Sequence, residues 1–424
     1  MRVQVAYGRQ GMLVELPEDR VVGVLTYRDC APLESPQEQV EHVLDYPTGT
    51  PPLVQLARGR RSACILVCDI TRPAPNALML RPLLERLSQC GIPPERTKIL
   101  IATGLHRPAT ADELQEILGP WILERYPVEN HDGLALAEHV YLGDSPRGVP
   151  IWIDRRYVEA DLKIAVGLIE PHFMAGFSGG RKLICPGIAA LPTVRAWHSP
   201  RFLEHPRATT GVLDGNPVHE ENTWIARRAG CDFIINAIID DQRRPVKFVA
   251  GDMDTAFQEG VQYVRQVVCR SLPTAVDIVI TSAAGYPLDA TFYQAVKGMV
   301  AAMPVVKPGG TIILAARLQE GIGSESFQRI FRENPSPEQF FRRILESDYF
   351  QMDQWQVEEL VRVVRHAHVC VVTEGLTPDV LRTLYVDGAT TMQEAVELAL
   401  RRHGPRATMA VIPKGPYVIA SVSA

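Results

Sequence analysis

Apolar residues along this chain follow two alternating rhythms. Uninterrupted runs rich in Val and Ile recur in ILVCDITRP from Ile65, ILIATGLHRP from Ile99 and LKIAVGLIEPH from Leu162. Runs of this kind predict strands buried on both faces, as in a parallel sheet. Between them, apolar positions recur at helical spacing over 77–90 and 111–118, with Asn76 and Thr110 as candidate caps, and again over 219–229 and 252–268. Alternation of the two rhythms predicts α/β architecture.

The ends of the chain carry weaker patterns. Residues 3–6 and 12–16 alternate around a turn at Gly8 to Gly11, and 21–26 form a further strand-like run. Past a Ser-Leu-Pro-Thr stretch, a fresh series begins with VDIVITSA, a helical pattern over 290–303 and GGTIILAA. Helical patterns over 337–346, 354–364 and 392–403 and the strand HVCVVTE complete it. The restart predicts two α/β domains with a cofactor and substrate cleft between them. Residues 1–270 form the N-terminal catalytic and cofactor-binding domain, joined by the strands of 405–424, and 271–404 form a C-terminal domain that closes over the site.

Composition narrows the function class. Among 424 residues the formal net charge is −5, and no basic block offers the electrostatic footprint of a nucleic-acid binder. The N-terminus MRVQVAYGRQ lacks the charged-then-apolar order of a signal peptide, and no apolar run approaches the roughly 20 residues needed to span a bilayer. A soluble cytoplasmic enzyme acting on a small molecule is expected, with neither nucleic acid nor membrane as partner. The eight cysteines are scattered without C-x-x-C pairs, which predicts reduced thiols.

Each of the three apolar runs hands over to reactive polar residues. In an open parallel sheet, ligands bind beyond the carboxyl ends of the strands, so Asp69, Arg72, His106 and His172 are expected to converge there. The segment EPHFMAGFSGGRKLICPG, 170–187, is the densest. Its glycines suit either a backbone nest for phosphate or a tight turn ahead of a helix; the P-loop spacing is absent. His106, His172 and His198 stand out among eleven histidines. Singly, each reads as structural; together at one sheet edge they point to acid–base work near neutral pH. In ATFYQAVKGM, Tyr293 and Lys297 share a helix face, with Gln294 at its edge, a surface either solvated or functional.

The motifs DITRP, ATGLHRP, EPHFMAGFSGGRK and YQAVKGM, in this order and at these separations, resemble those of the nickel-pincer-nucleotide lactate racemase family of 2-hydroxyacid racemases and epimerases. That resemblance implies a cofactor, a pyridinium-3-thioamide-5-thiocarboxylic acid mononucleotide carrying Ni(II), made by cofactor-synthesis proteins. It implies Lys182 as the covalent tether and His198 as a nickel ligand, with His106 and His172 as the catalytic acid–base pair. Arg72 is then expected on the carboxylate of a lactate-like 2-hydroxyacid, aided by Lys297, with Gln294 and Tyr293 lining the pocket. Asp69 is expected at the cofactor ribose, and Ser178, Gly179, Pro186, Gly187 and Trp355 around the nucleotide. A second substrate carboxylate would need an extra cation from Arg107, Arg181 or Arg195. Two other readings remain: a hydrolase with His106, His172 and His198 on zinc, and a catalytically silent hydroxyacid-binding homologue.

Overall fold

The three apolar runs form neighbouring parallel strands. The structure, a computed structural model, describes residues 1–346 and 349–423. It contains two compact units, one of residues 29–267 and one of residues 1–28 with 268–424.

In the 29–267 unit, six strands lie side by side in the order Pro245–Gly251, Phe233–Ile239, Leu162–Leu168, Ala63–Cys68, Thr97–Ala102, Val128–Asn130. All neighbours pair in parallel except Pro245–Gly251, an antiparallel edge strand. Every residue of Ala63–Cys68 is buried. The helix Asn76–Gln89 packs Leu80, Leu83, Leu84 and Leu87 into the same core as Ile65, Val67, Ile99 and Ile164. Thr110 caps Ala111–Leu118, accepting from the Glu113 amide while the Glu113 carboxylate reaches back to the cap amide.

This strand order is doubly wound, and its direction reverses between Ala63–Cys68 and Leu162–Leu168. At such a switch point the connections leave the sheet on opposite sides and open a crevice at the carboxyl ends. The segments leaving those ends carry Asp69, His106 and His172.

The other unit has an all-parallel sheet in the order Asp387–Ala389, His368–Val372, Val306–Ala315, Val276–Ser282, Met409–Ile412, Val21–Val24. Here the chain departs from the expected division, in which residues 1–270 and 405–424 stood together. Val21–Val24 pairs with Met409–Ile412, and Val5, Tyr7, Val14 and Leu16 share a core with Ile278, Ile313 and Val411. Ile419–Val422 pairs with Cys269–Leu272. Both chain ends thus build the second unit, because the strands that complete its sheet lie at opposite ends of the sequence. Among the described residues no helix is long and apolar enough to cross a membrane.

Candidate active site

Asp69 is the first residue beyond Ala63–Cys68 and is 8% exposed. Its Oδ1 accepts from the Thr71 amide at 3.1 Å and the Thr71 hydroxyl at 2.5 Å, and its Oδ2 lies 2.7 Å from His106 Nδ1. A carboxylate only accepts, so Nδ1 carries the ring proton and His106 Nε2 keeps its lone pair. That is the tautomer of a general base, with a carboxylate behind it to stabilise the imidazolium that forms. The imidazole is half exposed, open to a substrate.

Burial pushes the Asp69 carboxyl up, but the His106 and Thr71 hydrogen bonds and the charges of His106 and Arg72 outweigh it and hold the group below the ordinary carboxylate range. A depressed carboxyl stabilises the fold above its unfolded pKa, about 4, and that contribution is lost as pH falls toward the lower folded value. The stability advantage of the native protein over Asp69→Asn is therefore expected to be full at neutral pH and to shrink below about pH 4. Urea melts of both proteins across that window check it.

The third strand end supplies the other half. Glu170 Oε1 pairs with Arg72 Nη1 at 3.1 Å. Ser178 ties the Gly-rich segment to this strand: its amide donates to the Glu170 carbonyl at 2.9 Å and its hydroxyl to the Leu168 carbonyl at 2.8 Å. The glycines permit close packing. A Cβ at Gly179, where φ is +85°, would meet Asn236 Oδ1 at 2.8 Å, and one at Gly187 would meet the Leu183 carbonyl oxygen at 2.2 Å.

His172 Nδ1 accepts from the Met174 and Ala175 amides, both at 3.2 Å, and its Nε2 lies 3.0 Å from Lys182 Nζ. With Nδ1 facing two donors, the ring proton sits on Nε2 and the lysine nitrogen accepts it. An accepting lysine is an uncharged amine, the nucleophilic form. Nearby, Lys182 Nζ lies 5.9 Å from the centre of the Trp197 ring, which stacks on His198 at 3.7 Å. His198 Nδ1 donates to the Val194 carbonyl at 3.2 Å, so Nε2 is the unprotonated nitrogen. Burial, the largest cause, pushes this imidazole well below its ordinary range. It is neutral, as a metal ligand must be.

Backbone bonds connect these loops. The Gly104 amide donates to the Gly187 carbonyl at 2.9 Å, the Gly187 amide to the Lys182 carbonyl at 3.1 Å, and the Ala189 amide to the Pro186 carbonyl at 3.1 Å.

In the second unit, Thr291 caps the helix Phe292–Ala302. Lys297 Nζ donates to Gln294 Oε1 at 2.5 Å, while the Tyr293 hydroxyl accepts from Trp355 Nε1 at 3.2 Å. The i,i+4 face expected for Tyr293 and Lys297 thus divides, with Lys297 held at i,i+3 by Gln294 and Tyr293 turned to Trp355. Burial and Asp353 push the Tyr293 hydroxyl above the ordinary phenol range.

Residues 7–211 match the family model for the lactate racemase N-terminal domain, and residues 272–420 that for the lactate racemase C-terminal domain. The chain belongs to the lactate racemase family. It is 37% identical to the lactate racemase of Lactiplantibacillus plantarum, over 98% of this chain and 99% of that one. The lactate racemase of Thermoanaerobacterium thermosaccharolyticum is 36% identical over 98% of each chain. A structure of the latter's apoprotein superimposes with a TM-score of 0.94 at 35% identity, covering 99% of this chain and 100% of that one. A Thermotoga maritima protein, 18% identical with a TM-score of 0.72 over 94% of this chain and 100% of that one, shares the fold.

Lactate racemases are isomerases, and the geometry separates this family's chemistry from the zinc reading. Among the described residues, the group of three ligand atoms within 4.8 Å of one another comes from His131, His139 and Asp154, not from His106, His172 and His198. Three roles escaped the sequence. Asp69 and Thr71 orient His106, and Glu170 holds Arg72. Arg181 is no candidate for a second substrate carboxylate: it is 1% exposed, and its guanidinium donates to the Ala175, Phe177 and Gly179 carbonyls and lies over the Phe257 ring. Burial pushes it down to about 9, so it remains a charged staple under the Gly-rich turn. Arg107 forks onto Glu113 at 2.6 and 2.7 Å.

Proposed function

We propose that this protein inverts C2 of a short 2-hydroxyacid of the lactate kind, with His106 and His172 as the proton-handling pair and Lys182 and His198 holding a nickel-pincer nucleotide. The observation that carries the reading is the Lys182 amine set 3.0 Å from His172 Nε2, beside the buried His198 imidazole whose Nδ1 lies 3.2 Å from the Val194 carbonyl oxygen. One is a nucleophile suited to a thioamide link, the other a nitrogen donor suited to Ni(II). The donor set fits the group the family implies.

When bound, the nucleotide supplies the hydride acceptor for C2. The protein's own residues do the rest. Arg72, steadied by Glu170, turns its remaining N–H groups to the substrate carboxylate. His106 Nε2 takes the hydroxyl proton, and Asp69 stabilises the resulting imidazolium. With Lys182 committed to the thioamide link, His172 Nε2 would face the substrate oxygen, where the ring, once protonated, would deliver a proton and revert to the neutral imidazole. Of the three cations considered for a second carboxylate, Arg107 and Arg181 are engaged within the fold, which leaves Arg195 as the position to test with a diacid.

Protein produced together with the cofactor-synthesis enzymes tests this reading directly. Incubation with single enantiomers of lactate and larger 2-hydroxyacids, followed by chiral chromatography, should show the fastest approach to a racemate for lactate-sized substrates. Retention of configuration across the whole panel would refute it.

A further inference from the structure

His131 follows the edge strand Val128–Asn130 and is 1% exposed. Its Nδ1 lies 3.0 Å from Asp154 Oδ2 and its Nε2 3.3 Å from the Ala189 carbonyl oxygen. Neither neighbour has a proton to give. A carbonyl only accepts, and although burial raises the Asp154 carboxyl, the Arg156 and His131 hydrogen bonds hold it far below the ordinary range. Each ring nitrogen thus faces an acceptor, an arrangement that only a ring with a proton on both nitrogens would satisfy in full.

A row of alternating charges supports that state. Lys98 Nζ lies 2.6 Å from Glu129, Glu129 2.6 Å from Arg156 Nη1, and Arg156 Nη2 2.5 Å from Asp154 Oδ2. His131 ends the row as the second cation on Asp154. An unpaired buried charge is strongly disfavoured, and this placement relieves it. Other titratable groups here are Glu138, 3.9 Å from Arg156, His139, whose ring meets that of His131 edge-on at 5.0 Å, and the buried Cys64 thiol, which burial and Asp154 push up.

His131 also reaches two loops of the active site. Its carbonyl accepts from Thr103 Oγ1 at 2.7 Å, and the Thr103 carbonyl accepts from the His106 amide at 2.9 Å. Through Nε2 it holds Ala189, two residues past Gly187, which is bonded to Lys182 and Gly104. Asp154 holds the same segment, its amide donating to the Ile188 carbonyl at 3.0 Å.

His131, His139 and Asp154 also have the spacing of a metal site, but the hydrogen bonds oppose one. Both Asp154 oxygens accept from Arg156, and both His131 nitrogens face an acceptor. Only the buried His139 Nε2, with Nδ1 donated to the Ala135 carbonyl, offers one.

We propose that His131 is a doubly protonated positioning residue that fixes the loop of His106 against the segment of Lys182. This rests on the acid–base and tether roles proposed above. Protein with ¹⁵N-labelled histidine should show, at neutral pH, both His131 ring nitrogens protonated, and Asp154→Asn should remove one of those protons. In cofactor-loaded protein, His131→Gln should lower kcat for lactate roughly 10–100-fold, the range found for residues that orient a site from behind, with KM nearly unchanged. A merely structural role would reduce the folded fraction and leave kcat per folded molecule intact.

An unprotonated His131 nitrogen in the native protein would overturn the inference, as would stoichiometric zinc binding to the cofactor-free protein that His131→Gln abolishes. Native kcat in folded His131→Gln would do the same. If the loaded native protein racemises no hydroxyacid, the functional reading itself fails, whatever state the His131 ring shows.

Discussion

A Lys182→Ala protein, produced alongside the cofactor-synthesis enzymes, is expected to have the mass of the bare polypeptide and no racemase activity. The native chain should carry the added mass of the nucleotide. The expectation follows from the hydrogen bonds of His172. Two backbone amides occupy its Nδ1, so its proton lies on Nε2 and the lysine 3.0 Å away is uncharged. An ammonium there would need a lone pair that a neutral imidazole in this tautomer no longer has. Lys182→Arg should fail equally, since a guanidinium keeps its charge. Full adduct mass on the alanine variant would remove the tether from this position.

Replacing His106 by Ala is expected to lower kcat by about 10²–10⁴-fold, the range for a general acid–base group, while cofactor attachment remains complete by intact mass. Asp69→Asn should approach the same loss through the bond of its carboxylate to His106 Nδ1. An amide can donate to Nδ1, which places the ring proton on Nε2 and presents the wrong tautomer; in serine proteases the equivalent exchange costs about 10⁴-fold. Steady-state racemisation of lactate by both variants checks the pair. A native rate in the Asp69 variant would show that His106 needs no carboxylate behind it.

Much of this architecture was legible in local pattern. Ala63–Cys68, Thr97–Ala102 and Leu162–Leu168 lie in the apolar runs that predicted them, because strands buried on both faces cannot tolerate polar interruption. The Thr110 cap and its helix were readable because a capping box acts within four residues. Contacts between distant segments were not. Asp69 and His106 are 37 residues apart, and no spacing rule pairs them, so their hydrogen bond left no trace in local pattern. The strand Val21–Val24 was recognisable as a strand, but its partner is Met409–Ile412, and register across such a distance is set by the folded sheet. Arg181 looked like a ligand cation beside Lys182, since nothing in FSGGRK says which side chain turns inward. His131 looked ordinary for the same reason: its meaning lies in Asp154 and Ala189.

The hydrogen at C2 is expected to leave and return as hydride, while imidazoles handle only the hydroxyl proton. Racemisation of L-lactate deuterated at C2, run in ordinary water by the loaded protein, tests this most directly. Mass spectrometry of the D-lactate formed should show the deuterium retained at C2. Its loss to solvent would mean that a protein base abstracts that hydrogen as a proton, which rules out hydride transfer.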